Sequence, residues 1–137
     1  MPILTTDAEL ASLLRRSRTI AVVGLSGSPG RDSYRVARYL QERGYVIFPV
    51  NPTVREVLGR TAFPDIESIG HAVDIVDIFR RPEYVPEIAE AAVRAGARSL
   101  WMQFDTVDEK SAEAASGAGL DVVVDRCIMV EHRRLIG

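Results

Sequence analysis

At 137 residues, the chain has the usual length of one domain and can bury a hydrophobic core. Apolar residues make up 47%, charged residues 26%, and the net charge is −2, which gives no reason to expect nucleic acid or an anionic membrane as a partner. No apolar run reaches the roughly 18 residues of a membrane span, and the N-terminus lacks a signal-peptide pattern. The single cysteine, Cys127, excludes an internal disulfide. We therefore expect one cytoplasmic domain over residues 1–137.

Helical and strand patterns alternate along the chain. Capping boxes at Thr6–Glu9 and Thr106–Glu109 each predict the start of a helix. Strands are predicted at about 19–25, 45–50, 73–79, 98–104 and 121–125. Longer helices are predicted from Thr6 through at least Leu14, from about 32 to 43, from between Pro82 and Pro86 to Gly96, from Thr106 to near Gly117 or Gly119, and from Ile128 to Ile136. Shorter helices are predicted at 54–58 and 66–69. This alternation predicts an α/β fold, a Rossmann-like three-layer sandwich whose five-stranded parallel sheet has the order 3-2-1-4-5.

The third predicted strand carries two carboxylates, Asp74 and Asp77. Acidic side chains are unusual in a central parallel strand, because both of its faces are buried. We therefore expect this strand at an edge of the sheet, or its carboxylates as caps for neighbouring loops.

A glycine-rich stretch follows the first strand, with Gly24, Gly27 and Gly30 at intervals of three. Glycine lets a backbone approach a phosphate closely, and the helix that follows presents unpaired amides and a favourable dipole. The spacing also fits an ordinary strand–helix turn, but the flanking strand and helix favour a nucleotide-type ligand. Ser26 and Ser28 lack a base at the spacing that a nucleophile needs, so we expect them to hydrogen-bond phosphate.

Arginines follow four of the five predicted strands, at Arg31, Arg55, Arg80 with Arg81, and Arg126. Ligands of open α/β sheets lie beyond the carboxyl ends of the strands, where arginine can bind phosphate. Of these side chains we expect Arg31 and either Arg80 or Arg81 to meet the ligand.

The second strand ends at Val50–Asn51–Pro52, without the acid that holds the ribose hydroxyls of NAD. An uncharged end suits a ribose that carries its own phosphate, which points to NADP or coenzyme A.

Six motifs together resemble a known family: Val23–Ser26, Ser33–Tyr34, Pro49–Pro52, Asp74–Arg80, Trp101–Gln103, and Asp125–Cys127 followed by Glu131–His132. The chain looks like the small stand-alone CoA-binding proteins, which are similar to the N-terminal CoA-binding domain of the succinyl-CoA synthetase α subunit. The resemblance implies that the glycine-rich loop holds phosphates and that later loops line the rest of a CoA groove. The predicted binding residues are Gly24, Ser26, Gly27, Ser28, Arg31, Ser33, Tyr34, Asn51, Pro52, Phe79, Arg80, Arg81, Pro82, Met102 and Gln103.

One position departs from similar sequences. They carry glycine two residues after the glutamine, whereas this chain has Asp105. Aspartate tolerates a left-handed backbone better than most residues, but it adds a negative charge beside a polyanionic ligand.

We expect no catalytic residue and no metal site. His71 is predicted at the wrong end of the sheet, and His132 is predicted on a solvated terminal helix. Cys127 is expected to be a buried structural cysteine. A reactive thiol remains the alternative, because the neighbouring cation Arg126 would favour the thiolate form of Cys127. The predicted function is non-catalytic binding of coenzyme A or an acyl-CoA.

Two alternatives remain open. The first is an enzyme, either an NADP-dependent oxidoreductase or an acyl-CoA ligase subunit that needs a partner chain, because the synthetase domain with the phosphorylated histidine has no counterpart here. The second is an oligomerising scaffold with a vestigial nucleotide pocket. The sequence leaves open a homo-oligomer or an enzyme partner.

Overall fold

A computed structural model describes residues 3–137. The helices are α1 (Asp7–Arg16), α2 (Asp32–Glu42), α3 (Val85–Arg94), α4 (Glu109–Gly117) and α5 (Ile128–Leu135). The strands are β1 (Thr19–Val23), β2 (Val46–Val50), β3 (Glu56–Val57), β4 (Arg60–Thr61), β5 (Ile75–Ile78), β6 (Ser99–Met102) and β7 (Asp121–Val124). Short 3-10 helices occupy Glu67–Ile69 and Pro82–Tyr84. Within residues 3–137, no helix combines the length and apolar character that a membrane crossing requires.

Five parallel strands form the main sheet, in the order β2-β1-β5-β6-β7. One core lies beneath α3 and α4 and includes Val76 and Leu100, and the other lies beneath α1, α2 and α5 and includes Leu14 and Trp101. The predicted α/β, Rossmann-like three-layer fold is therefore confirmed.

The position of β5 differs from the expected arrangement. Counted along the chain, the observed strand order is 2-1-3-4-5, so β5 pairs with β1 instead of lying outside β2 as in 3-2-1-4-5. All four residues of β5 are buried, which suits a central position. The outer edge of β2 is taken by Phe63, whose amide donates to the Pro49 carbonyl at 2.9 Å. Because a residue's N–H and C=O point to the same side of a strand, the N–H that Pro49 lacks would face this edge and not β1.

The edge placement of Asp74 and Asp77 was therefore wrong, but the capping role was partly right. Asp74 Oδ2 accepts hydrogen bonds from the amides of Arg18 at 2.7 Å and Thr19 at 3.1 Å, at the beginning of β1. Asp77 is fully buried and caps nothing.

Two other local predictions were wrong. Residues 54–58 do not form a helix: β3 and β4 make a small antiparallel hairpin whose turn places Leu58 at φ 55° and Gly59 at φ 74°. The second predicted capping box also fails, since Asp108 caps α4 through the Ser111 amide. Thr106 instead donates its hydroxyl to the Gln103 carbonyl at 2.7 Å. The capping box of α1 is confirmed.

Both edges of the sheet have neighbours. Besides Phe63 at β2, Ile3 bridges to Val122 of β7, and the Leu4 amide donates to the Val122 carbonyl at 2.8 Å. These contacts pair some of the backbone N–H and C=O groups of the edge strands, through which a sheet would otherwise associate with another chain.

Candidate functional site

A cleft of about 960 Å³ opens beyond the carboxyl ends of β1, β2 and β5. In a doubly wound sheet this is the end at which ligands bind. Ten of the fifteen predicted binding residues line the cleft: Gly24, Ser26, Gly27, Ser28, Arg31, Asn51, Pro52, Phe79, Arg80 and Arg81. The sheet thus brings together side chains that lie up to 57 positions apart, from Gly24 to Arg81.

Gly24 forms the turn at the end of β1, where the chain passes closest to β5. Its φ is +88°, and a Cβ built on it would lie 2.5 Å from the Phe79 carbonyl oxygen and 2.9 Å from Arg80 Cδ. Both the backbone angle and the contact therefore require glycine at this position. Gly27 and Gly30 have more room, with nothing nearer than 3.8 Å to a Cβ on Gly27 and nothing within 4 Å of one on Gly30.

The glycine-rich loop is held by its own serines. The Ser26 amide donates to Ser33 Oγ and the Ser28 amide to Ser26 Oγ, both at 3.0 Å. Within residues 3–137, the Gly27 amide and the first three amides of α2 have no acceptor, and the Arg31 side chain does not cap this helix. Unpaired amides at a helix N-terminus can donate hydrogen bonds to an anionic group. The neighbouring Gly27 has no side chain to keep such a group away from the backbone.

Four arginines line the cleft: Arg94 is paired with Glu67, and Arg31, Arg80 and Arg81 add positive charge. Among the described residues, no carboxylate lies within 4 Å of any of the last three guanidinium groups. The Arg80 guanidinium stacks over the Tyr84 ring at 4.1 Å, which holds the side chain along the cleft. The two remaining candidates lie elsewhere, because Arg55 is on the β3–β4 side and Arg126 pairs with Glu131 at 3.3 Å.

Asn51 connects the end of β2 to the glycine-rich loop. Its Nδ2 donates to the Leu25 carbonyl at 3.0 Å, and its Oδ1 accepts from the Thr53 amide at 2.9 Å. The amide side chain therefore fixes both loops without bringing a charge to this side of the cleft.

The other half of the cleft has a different character. Its walls are apolar, formed by Pro64, Ile66, Ile88 and Ala91, and its rim carries Asp65, Glu67 and Glu87. Glu67 is neutralised by Arg94, with Oε2 2.8 Å from Nη2, and the Asp65 carboxylate accepts hydrogen bonds from Ser68, which lower its pKa. A cationic half and an apolar, acid-rimmed half suit a ligand with phosphates at one end and a planar, amino-bearing group at the other.

Five predicted binding residues do not line the cleft. Ser33 and Gln103 are buried and bond backbone, with Gln103 Oε1 accepting from the Ile128 amide at 3.0 Å. Met102 is fully buried in the core and Tyr34 packs against the α2 side of the sheet. Pro82 is exposed at the start of a 3-10 helix. Ser33 and Gln103 therefore shape loops from below, and a direct role in binding stays a prediction for all five.

The cleft residues contributed by 64–67 and by α3 were not predicted from the sequence. Residues 53–72 have no clear periodicity, so nothing in the sequence placed Ile66 or Glu67 beside β2. Tyr84 could have been found, because it lies four residues after Arg80 at the start of a helical segment, a spacing that allows contact.

The candidate catalysts fall outside this cleft. His71 is exposed at the opposite end of β5, with its ring edge-on to Phe48 at 5.2 Å. His132 was predicted on a solvated helix, which is wrong: it is buried, its Nδ1 lies 2.9 Å from the Tyr39 hydroxyl, and burial together with Arg43 lowers its pKa. Cys127 is free and buried where α5 begins. Residues 3–137 contain no group of three His, Cys, Asp or Glu that could hold a metal ion.

The fold and the position of the cleft are those of a Rossmann-like ligand-binding domain. Residues 18–133 match the family described as "CoA binding domain", and the chain belongs to that family.

Similar proteins include the uncharacterized protein YneT of Bacillus subtilis, 42% identical over 93% of this chain and 94% of YneT. A solved structure of a hypothetical protein from Pyrococcus horikoshii OT3 is 40% identical, with a TM-score of 0.95 over 100% of this chain and 97% of that one. The ADP-forming acetate–CoA ligase I of Archaeoglobus fulgidus is 23% identical over 81% of this chain, which spans only 18% of the ligase.

Proposed function

We propose that this protein binds coenzyme A or an acyl-CoA in the cleft without performing chemistry on it. Family membership supports a CoA ligand. The observation that carries the proposal is the combination of unpaired amides at Gly27 and the start of α2 with three arginines that have no carboxylate partner. In this proposal the amides and arginines hold the phosphates, and the apolar half of the cleft takes the adenosine.

The neutral end of β2 favours coenzyme A over NAD. A carboxylate at Asn51 would repel a phosphate on the ribose, whereas the amide does not. Neither serine of the cleft, Ser26 or Ser28, has a histidine beside it to act as a base, because both histidines lie elsewhere. A carrier, a sensor or the CoA-binding partner of an enzyme fits these features, and the free Cys127 fits a cytoplasmic location.

A second candidate rests on the similarity to the Archaeoglobus ligase. Because this chain spans a small part of that enzyme, it could serve as the CoA-binding chain of a ligase whose other parts are separate polypeptides. This candidate requires a partner chain that adds acyl-CoA formation, whereas the first requires binding alone.

Thermal unfolding with a panel of ligands tests the proposal. The protein is heated with coenzyme A, dephospho-CoA, NADP or NAD at equal concentration. A ligand at 100 times its dissociation constant stabilises the native state by about 2.7 kcal/mol, so binding raises the midpoint clearly. We expect the largest shift with coenzyme A and a smaller one without the 3′-phosphate. A larger shift with NADP, or none with any ligand, would contradict the proposal.

The variant Gly27→Val provides a matched check. A branched side chain at this position would cover the free amide while leaving β1 and α2 unchanged, since only Val54 Cγ1 lies near, at 3.8 Å. We expect a folded protein that no longer responds to coenzyme A. Undiminished binding would mean that the phosphates lie elsewhere.

A further inference from the structure

Asp77 is the one side chain of residues 3–137 that is buried with its polar atoms unpaired. It is fully buried, and neither Oδ1 nor Oδ2 has a hydrogen-bond partner. Burial alone raises the pKa of this carboxyl well above 3.8, because an isolated charge is strongly disfavoured in an apolar interior. None of the features described above uses this group.

The sheet register places Asp77 just below the cleft. It lies between Val22 of β1 and Trp101 of β6, on the face covered by α1, α2 and α5. Phe79 and Arg80, which line the cleft, are two and three residues further along the chain. At about 3.3 Å per residue, Phe79 and Arg80 lie roughly 7–10 Å from Asp77 along the strand direction.

The surroundings of Asp77 supply no compensating charge. The titratable groups on the same face are Tyr34 and Tyr39 of α2, Tyr45, and Cys127, Glu131 and His132 at α5. Glu131 pairs with Arg126 and Arg134, and His132 bonds Tyr39. The face of α1 that packs here contributes Leu10, Leu13 and Leu14.

We propose that anion binding in the cleft is coupled to protonation of Asp77, so that the site takes its polyanionic ligand with this carboxyl neutral. The inference rests on the proposed function, since it concerns the same cleft. An ionised Asp77 would repel phosphates held just above it through an interior that screens charge poorly. By reciprocity, a bound polyanion favours the protonated carboxyl.

The coupling fixes the direction of a pH effect. As the pH rises, Asp77 loses its proton more readily in the free protein than in the complex, so the affinity falls and binding takes up a proton. For unit charges about 10 Å apart at an effective dielectric constant of about 20, one ionisation weakens binding by about tenfold.

Isothermal titration calorimetry with coenzyme A tests this over the whole pH range in which the protein stays folded, in buffers of different ionisation enthalpy. The neutral variant Asp77→Asn removes the titrating group while keeping the shape of the side chain. Asp74→Asn is the matched control, because Asp74 lies at the other end of β5 and bonds amides of Arg18 and Thr19. The phosphate of the ligand and His132, whose pKa is lowered, also titrate within the folded range, but they do so in every variant.

We expect the affinity of the natural protein and of Asp74→Asn to fall about tenfold more than that of Asp77→Asn across this range. Only the first two should take up an additional proton on binding, because Asp77→Asn lacks the titrating carboxyl. If all three bind coenzyme A with the same pH dependence, the coupling is overturned while the proposed function stands. If none binds at any pH, the proposed function falls and the coupling with it. Should Asp77→Asn fail to fold, Asp77→Val supplies a second neutral variant.

Discussion

Replacing Gly24 by alanine tests how closely the glycine-rich loop passes β5. The added Cβ would lie 2.5 Å from the Phe79 carbonyl oxygen, and the residue would have to keep a φ of +88°. A left-handed backbone costs a non-glycine residue about 1–2 kcal/mol, and crowding of a packed contact costs about 1–3 kcal/mol. We therefore expect Gly24→Ala to lower the free energy of unfolding by about 2–5 kcal/mol.

Thermal unfolding followed by circular dichroism measures this loss. At about 4 °C per kcal/mol for a domain of this size, the midpoint should fall by about 8–20 °C. Gly30→Ala is the matched control in the same loop, since nothing lies within 4 Å of its Cβ and its φ is outside the left-handed range. The control should change stability by less than about 1 kcal/mol, in the stabilising direction. Equal midpoints for the two variants would refute the close approach.

Three further predictions concern single side chains. Asn51→Asp should weaken coenzyme A more than dephospho-CoA in titration calorimetry, because the new charge faces the ribose phosphate; an unchanged ratio of the two affinities would contradict this. Asp105→Gly places glycine at φ 63°, which it adopts more readily than aspartate, so we expect the same or a slightly higher melting temperature, and a clear decrease would count against this. The lowered pKa of His132 predicts that stability is lost as the pH falls below 6.5, where the unfolded histidine takes up a proton first; His132→Gln should lose less stability between pH 7 and pH 5 in urea unfolding.

Much of the fold could be predicted because its signals are local. The buried apolar runs at β1 and β7, the α1 capping box and the glycines that end helices all depend on neighbouring residues, and their predicted positions agree with the structure within a few residues. The strand order was harder to predict from the sequence. It depends on which neighbour covers the outer edge of β2, and the segment that does so, at Phe63, has no periodic pattern.

The candidate site shows the same division. Gly24, Asn51 and Arg80 could be placed at one edge because parallel strands end together there. The apolar half could not, since Ile66 reaches the cleft through an irregular segment and Ile88 reads as a core position of α3. Asp77 was misjudged for a physical reason: a central strand disfavours the charged form of a carboxyl most strongly, and burial raises the pKa of this one and so favours its neutral form.

A crystal structure of the protein grown with coenzyme A would show where the ligand is held. We expect pyrophosphate oxygens within about 3 Å of the amides of Gly27 and the first turn of α2, with Arg31, Arg80 or Arg81 on the phosphates. Coenzyme A bound elsewhere, with this cleft empty at saturating ligand, would contradict this expectation.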